Sequence, residues 1–288
     1  MPDALAALLA LLDLEELEVN LFRGRSPQER RQRVFGGQVA GQALVAAGRT
    51  VPHGHVHSLH AYFLRPGDPS TPIVYSVDRI RDGRTFTTRR VVAIQHGQAI
   101  FHLSASFQPD EAGPDHQMPM PAAPDPEALP TYEERIRPLL HRMPEAMRLW
   151  LTRDRPIEFR PVQDVDPFGE TRRPPRQLQW VRTNGSLPDA RLLHQCIVAY
   201  ASDMTLLDTA ALPHGIAWND PRFVSASLDH AMWFHRSFRA DDWLLYVQES
   251  PSAHGARGFT LGHFFARSGE LVVSVAQEGL IRPVVAPR

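Results

Sequence analysis

The last hydrophobic segment of the chain, LVVSVAQEG at residues 271–279, alternates in the manner of a β-strand. Successive side chains of an extended chain point to opposite faces, so Gln277 shares one face with Val273 and Val275. Gln277 thus ends an apolar row, where an amide without hydrogen-bond partners costs roughly 1–3 kcal/mol. The pattern predicts a strand whose buried amide has specific polar partners.

The same order of elements occurs twice along the chain, on either side of a proline-rich segment. The first copy contains RVFGGQVAGQALVAAG, HVHSLHAYFLRPG and a hairpin that ends in QHGQAIFHLSASFQ. The second contains ARLLHQCIVAYASDMTLLDTAAL, SASLDHAMWFHRSF and a hairpin that ends in RSGELVVSVAQEG. Each copy predicts a helix, a strand, a hairpin and a strand, with Gly97 and Gly269 in the final hairpin turns.

Both predicted helices are apolar nearly all round and rich in small residues such as Gly41, Ala46 and Ala199. A helix without a polar face is buried on every side. An antiparallel sheet that curls around it provides this burial, so we expect an α+β protein with a tandem (double) hotdog fold and joined sheets. The expected domains are an N-terminal hotdog at residues 1–110, a proline-rich linker plus helix at 111–155, and a C-terminal hotdog at 156–288.

Composition narrows the classes of function. The formal net charge of −1 provides no basic surface for nucleic acid or membrane, and no apolar run reaches the roughly 18 residues of a transmembrane helix. The N-terminal MPDALAALLALLDLEELEV lacks a basic lead, so it predicts an amphipathic helix of a cytoplasmic protein instead of an export signal. One cysteine, Cys196, excludes an internal disulfide, and the absence of lysine excludes Schiff-base chemistry.

A carboxylate, a hydroxyl and an amide are predicted to meet in the second copy. Asp203 has apolar neighbours at helical spacing, and burial there raises the pKa of a carboxylate and makes it a useful base. The strand within SASLDHAMWFHR, with Ser227 and Asp229 on one face, and the strand of Gln277 pack on the same helix. Together the three groups can hold one water molecule for attack on a substrate. The alternative is a structural Asp satisfied by local backbone or by a distant arginine.

Seven segments, in order along the chain, resemble the acyl-CoA thioesterase II family of double hotdog enzymes. They are FGGQVAGQAL, HSLHAYFLRPGD, GRTFTTRRV, YASDMTLLDTA, SLDHAMWFHRSF, WLLYVQESPSAHGARGF and VVSVAQEG. The resemblance implies hydrolysis of acyl-CoA to fatty acid and coenzyme A, without a cofactor. It assigns the catalytic roles to Asp203, Ser227 and Gln277. Ser227 stands where the family usually has Thr, whose methyl group restrains the rotamer.

The expected reaction is attack by water on the thioester carbonyl, with Asp203 taking the proton. Backbone N–H groups at a helix start suit the developing oxyanion. Gly36 and Gly37 open the first predicted helix, and these glycines either serve the oxyanion or only permit tight packing. Arg84 and Arg257 occupy equivalent places in the two copies and are candidate contacts for the phosphates of coenzyme A. The resemblance also implies a homodimer or homotetramer.

Two other functions are compatible with this fold. A hotdog hydratase would add water to an enoyl-CoA with a paired Asp and His, but Asp229 and His230 are adjacent and point to opposite faces of a strand. A non-catalytic acyl-CoA binding protein would gain nothing from three polar side chains in apolar surroundings. The histidines of HGHVHSLH, residues 53–60, alternate as metal ligands can, but no carboxylate lies among them, so we expect no metal.

Overall fold

The structure, a computed structural model, describes residues 3–27 and 33–284. The first half contains α1 (Ala4–Leu12), β1 (Glu15–Glu18), β2 (Leu21–Gly24), α2 (Gly36–Arg49), β3 (His55–Phe63), β4 (Ile73–Asp82), β5 (Thr87–Gln95) and β6 (Gln98–Gln108). The linker contains α3 (Tyr132–Ile136) and α4 (Glu145–Leu151). The second half contains β7 (Ile157–Pro161), β8 (Arg176–Thr183), α5 (Arg191–Ser202), α6 (Asp208–Ala211), β9 (Phe223–Ser227), β10 (Asp229–Phe234), β11 (Leu244–His254), β12 (Arg257–Ala266) and β13 (Leu271–Pro283).

The strands form one thirteen-stranded sheet in the order β1-β2-β4-β5-β6-β3-β10-β13-β12-β11-β8-β7, with β9 also paired to β13. The two halves join where β3 runs antiparallel to β10 and Leu59 lies opposite Met232. On either side of this junction the corresponding hairpins follow in mirrored order. The structure confirms the predicted tandem fold with its joined sheets.

The central helices are buried as their composition predicts. Every residue of α2 from Gly37 to Ala47 is buried. The polar side chains among them have partners: the Gln42 amide donates to the Leu11 carbonyl at 2.7 Å, and the Tyr75 hydroxyl donates to Gln42 Oε1 at 2.7 Å. Helices α2 and α5 lie together in the main core, enclosed by the sheet.

The final hairpin of each half turns at a glycine, as predicted. Gly97 between β5 and β6 has a φ of 71°, and Gly269 between β12 and β13 has a φ of 97°. These are left-handed conformations that glycine adopts without steric cost. The equivalence of the two copies therefore extends to their turns.

The helices predicted at the N-terminus and in the linker are shorter than expected. Helix α1 ends at Leu12, and the acidic residues that follow form β1 at the edge of the sheet. In the linker, Pro138 and Pro144 interrupt the backbone hydrogen bonding, so two short helices flank a 3-10 segment, Arg137–Arg142. The predicted domain boundaries stay predictions, and residues 285–288 of the third domain lie outside the described residues.

The predicted continuous helix through Asp203 is wrong. Helix α5 ends at Ser202, and Asp203 is its C-cap residue, followed by a turn before α6. In a longer helix the carbonyl of Ser202 would accept the N–H four residues onward. That carbonyl instead accepts the hydroxyl of Tyr246 at 2.9 Å. A side chain of the sheet therefore binds the carbonyl of the last helical residue, immediately before the candidate base.

The predicted single strand around Leu228 is two strands. Ser227 lies opposite Gly279 and Ala231 lies opposite Ala276, so this side of the ladder contains one residue more than β13 does. Such an extra residue is a β-bulge, which reverses the alternation of side chains beyond it. The prediction that Ser227 and Asp229 share a face is therefore wrong, and Ser227 faces the end of α5 as His230 does.

Candidate active site

The structure brings Asp203, Ser227 and Gln277 together in one hydrogen-bonded cluster. Gln277 Nε2 donates to Asp203 Oδ1 at 2.6 Å and to Ser227 Oγ at 3.1 Å. Ser227 Oγ donates to the same Asp203 oxygen at 3.1 Å. The Gln277 side chain is 0% exposed. The buried amide that ended an apolar row in the sequence thus has a carboxylate and a hydroxyl as partners.

Each member of the cluster comes from a different element. Asp203 caps α5, Ser227 ends β9 beside the bulge, and Gln277 lies within β13. Val273 and Val275 share its buried face and are at most 1% exposed, so β13 stays packed against the core. The packing of this apolar row therefore fixes the position from which the Gln277 amide reaches the Asp203 carboxylate.

Burial dominates the electrostatics of the cluster. Desolvation raises the pKa of Asp203 to about 6, although hydrogen bonds from Gln277, Ser227 and the backbone N–H of Gly37 each lower it. A carboxyl group with a pKa near 6 is ionised at neutral pH and still has appreciable affinity for a proton. Asp203 is therefore suited to remove a proton from water.

The start of α2 approaches the same carboxylate. The N–H of Gly37 is directed at Asp203, where the partial positive charge of a helix N-terminus favours an anion. A Cβ atom on Gly36 would lie 2.7 Å from Asp203 Oδ2. Glycine at this position therefore leaves room beside the oxygen that neither Gln277 nor Ser227 occupies.

A cavity of about 1230 Å³ opens in front of the carboxylate. Asp203, Ser227 and Gly36 line it, whereas Gln277 lies behind them. Apolar side chains from the two halves and the linker form much of the remaining wall, including Phe63, Phe101, Tyr132, Trp150, Leu207 and Ile216. The volume of about 1230 Å³ exceeds the roughly 300–1,000 Å³ of pockets that enclose drug-sized ligands, so there is room for a larger organic molecule.

The same cavity contains charged residues that the sequence patterns do not single out. Asp208, five residues after Asp203, lines the wall, and burial together with the Asp203 charge raises its pKa to about 7. Arg33 and Arg65 also line the cavity, and their recorded partners are backbone carbonyls, of Ser225 and Ala99. Among 31 basic residues these two have no distinguishing sequence signal.

Arg84 and Arg257 lie elsewhere. Neither is among the residues that line the cavity. Arg84 is exposed in the turn between β4 and β5, and Arg257 begins β12, where its Nε lies 2.9 Å from Glu278 Oε1. Gly37 does not line the cavity either, and its N–H is directed at Asp203.

The histidines of residues 53–60 have other contacts. His57 Nε2 lies 2.8 Å from Ser106 Oγ, and His55 Nε2 lies 3.9 Å from Asp110 Oδ2. Within residues 3–27 and 33–284 no three potential ligand side chains are grouped for a metal ion. In those same ranges no helix has the length and apolar character needed to cross a membrane.

Comparison with known sequences gives matches over both halves of the chain. The family described as acyl-CoA thioesterase matches residues 149–280, and the acyl-CoA thioesterase N-terminal domain matches residues 25–108. The chain is 45% identical to acyl-coenzyme A thioesterase 8 of Homo sapiens, over 94% of this chain and 88% of that protein. It is 40% identical to acyl-CoA thioesterase 2 of Haemophilus influenzae, over 98% and 99% respectively.

Solved structures give the same result. The crystal structure of the acyl-CoA thioesterase II TesB2 from Mycobacterium marinum has a TM-score of 0.79 and 45% identity, over 98% of this chain and 99% of that one. A protein of Alicyclobacillus acidocaldarius described as having a hot dog fold has a TM-score of 0.77 at 18% identity, over 97% and 99%, and supports the fold alone. With full-length relatives at this level of identity, the chain belongs to the acyl-CoA thioesterase family.

Proposed function

We propose that the protein hydrolyses acyl-CoA thioesters to a free fatty acid and coenzyme A, with Asp203 as general base. The observation that carries this proposal is the Asp203–Ser227–Gln277 cluster on the wall of a cavity of about 1230 Å³. Membership in the acyl-CoA thioesterase family supports the reaction class.

Gln277 and Ser227 both hold Oδ1 of Asp203, so Oδ2 is the oxygen that accepts a proton from water. The water oxygen adds to the thioester carbonyl carbon as that proton moves to Asp203. The tetrahedral intermediate then collapses, the C–S bond breaks, and the thiolate of coenzyme A takes up the proton that Asp203 removed from water, which restores the carboxylate. Ser227 lines the cavity and donates to Asp203, and its Oγ would orient the attacking water.

Gly36 is the proposed contact for the reacting carbonyl. It lines the cavity at the start of α2, next to Asp203, and a helix N-terminus stabilises developing negative charge. Gly37 would act on the base instead of the substrate, since its N–H is directed at Asp203. Gly36→Ala would place a methyl group against Oδ2 and lower the turnover rate.

The phosphates of coenzyme A need cations near the cavity, and Arg33 and Arg65 are the first proposed contacts. Within residues 3–27 and 33–284, each guanidinium group donates to one backbone carbonyl, and its other N–H groups can donate to a phosphate. Arg84 and Arg257 are the second proposed pair. Measuring the affinity for coenzyme A in the four Arg→Ala variants separates the pairs. Loss of an arginine that contacts a phosphate should weaken binding of coenzyme A without changing thermal unfolding.

The geometry favours hydrolysis over the two alternatives. Asp229 Oδ1 accepts the Glu278 N–H at 2.8 Å, whereas His230 Nε2 lies 2.8 Å from Ser202 Oγ. The two side chains of a hydratase pair therefore have separate partners. A passive acyl-CoA binder has no use for a buried carboxylate, whose desolvation disfavours folding.

A thiol-release assay tests the proposal. The purified protein is given saturated acyl-CoA substrates of increasing chain length, and free coenzyme A thiol is measured. Release of thiol supports hydrolysis, and the rates across the series give the chain-length preference. Loss of enoyl-CoA absorbance without thiol release would indicate hydration, and binding with neither signal would indicate a carrier.

We further propose that the protein is a cytoplasmic enzyme of fatty acid metabolism that forms a homodimer or homotetramer. A single buried cysteine supports a fold that does not depend on an oxidising compartment. Sedimentation equilibrium tests the assembly, with a mass of two or four times the 32.4 kDa chain as the expected result. A mass of one chain would contradict it.

A further inference from the structure

Two buried side chains of the sheet form hydrogen bonds to the end of α5 on the side away from the cavity. The Tyr246 hydroxyl donates to the carbonyl oxygen of Ser202 at 2.9 Å, and His230 Nε2 lies 2.8 Å from Ser202 Oγ. Tyr246 and Ser202 are 0% exposed, and His230 is 1% exposed. Neither Tyr246 nor His230 lines the cavity. Both side chains therefore contact Ser202, the residue that precedes Asp203, from the side away from the cavity.

The proton positions follow from the acceptors around Ser202. Its Oγ lies 3.0 Å from the Ala199 carbonyl oxygen and 3.7 Å from Met232 Sδ, so the hydroxyl hydrogen has acceptors other than His230. The tautomer with hydrogen on Nε2 lets His230 donate to Ser202 Oγ, and it leaves no hydrogen on the buried Nδ1, which has no hydrogen-bond partner. Burial lowers the pKa of His230 to about 4, so the ring is neutral at neutral pH.

The Tyr246 ring has little freedom to move. It stacks on Phe264 with centroids 3.8 Å apart and an interplanar angle of 10°. A Cβ atom on Gly262 would lie 2.6 Å from Tyr246 Cε2, so glycine provides the space for the ring. The rigid phenol ring thus holds its hydroxyl at a fixed position. There it donates to the carbonyl of Ser202, the last residue of α5, one residue before Asp203.

We propose that Tyr246 and His230 are positioning residues for the general base: their hydrogen bonds to Ser202 set the backbone from which the Asp203 carboxylate meets Gln277, Ser227 and water. This inference rests on the proposed hydrolysis by Asp203. The bulge at Leu228 allows both Ser227 and His230 to face α5, although they are three residues apart on the chain.

Tyr246→Phe tests the proposal, with Tyr75→Phe as the matched control. Tyr75 is equally buried, at 0% exposure, and its hydroxyl donates to Gln42 Oε1 at 2.7 Å in the other half of the molecule. Each substitution removes one buried phenolic hydroxyl and nothing else. Thermal unfolding of both variants identifies a temperature at which both are folded, and kcat and KM for one long-chain acyl-CoA are measured there.

The expected result is a fall in kcat on the order of tenfold for Tyr246→Phe, with little change in KM, since a small misplacement of a catalytic group slows the reaction. Tyr75→Phe should keep the wild-type kcat. The acid limb of the kcat profile should also move to higher pH in Tyr246→Phe. A displaced Asp203 loses part of the hydrogen bonding from Gln277 and Ser227, and those bonds are what lower its pKa.

Ser202→Ala provides a second variant if Tyr246→Phe does not fold. It removes the contact to His230 and keeps the carbonyl that Tyr246 holds, so a smaller fall in kcat is expected. Equal kcat values and pH profiles for Tyr246→Phe and Tyr75→Phe would overturn the positioning role. A wild-type protein without thiol release would instead overturn the proposed function, so the two failures are distinguishable.

Discussion

The two halves of this molecule share a framework and differ at the end of their central helices. The hairpin register pairs Thr87 with Phe107 in the first half and Thr260 with Gln277 in the second. Phe107 therefore occupies the place of Gln277, and it is 2% exposed within the core. One half fills this position with an aromatic ring, and the other fills it with an amide that needs polar partners.

The helix caps differ in the same way. The C-cap residue of α2 is Thr50, whose Oγ1 accepts from Arg89 Nε at 2.8 Å and whose carbonyl accepts from Nη2 at 3.0 Å. The C-cap residue of α5 is Asp203, which borders the cavity. The guanidinium of Arg89 is 0% exposed and also pairs with Asp82. In the first half, a structural arginine thus binds the side chain and the carbonyl of the C-cap residue. In the second half, Oδ2 of the C-cap residue Asp203 remains available for chemistry.

The largest expected effect separates the carboxylates of the two halves. Asp203→Asn should lower kcat by roughly 10²–10⁴-fold, because an amide cannot accept the proton from water. Asp82→Asn, which changes a carboxylate bound to Arg89, should keep the wild-type kcat. Single-turnover thiol release from a long acyl-CoA measures both. A near-native rate for Asp203→Asn would remove Asp203 from the role of base.

A second pair of variants compares the equivalent positions directly. Gln277→Leu should lower kcat by about 10–100-fold, since Asp203 and Ser227 lose their shared donor. Phe107→Leu should leave kcat unchanged and reduce the free energy of unfolding by about 1–2 kcal/mol through lost packing. Steady-state kinetics and chemical denaturation test the pair, and equal kcat losses would mean that the halves do not divide their roles.

The acid limb of the pH dependence should follow the ionisation of Asp203, whose charge also raises the pKa of the neighbouring Asp208. The Asp203 pKa of about 6 means that the base is ionised above that pH and protonated below it, so kcat should fall about tenfold per pH unit below the midpoint. A profile of kcat from pH 4.5 to 8 measures this. A midpoint near 4 would show that burial does not shift the pKa of the catalytic group.

The smallest expected effect concerns the hydroxyl. Ser227→Thr keeps the oxygen and restrains its rotamer, so kcat should change by no more than about threefold. Ser227→Ala removes the hydroxyl and should cost about tenfold. The same thiol assay gives both values. A larger loss in Thr than in Ala would show that the added methyl group obstructs the cavity.

The sequence carried more information about the fold than about the site. The alternation around Gln277, the repeated hairpins and the apolar helices predict the tandem fold, because burial sets their periodicity. The segments that resemble the thioesterase family indicate Asp203, Ser227 and Gln277. No such signal identifies the hydrogen bonds of Tyr246 and His230 to Ser202, or the arginines of the cavity, because their partners are distant in sequence.

The amino-acid sequence by itself determined that two helices without polar faces must be enclosed by sheet, and that an amide in an apolar row must find partners. The tertiary structure alone decided where α5 stops and which face Ser227 presents. Both depend on contacts across the sheet, namely the hydroxyl of Tyr246 on Ser202 and the extra residue at Leu228. The periodicity of hydrophobic residues describes one segment at a time, and it does not show where a neighbouring strand lies.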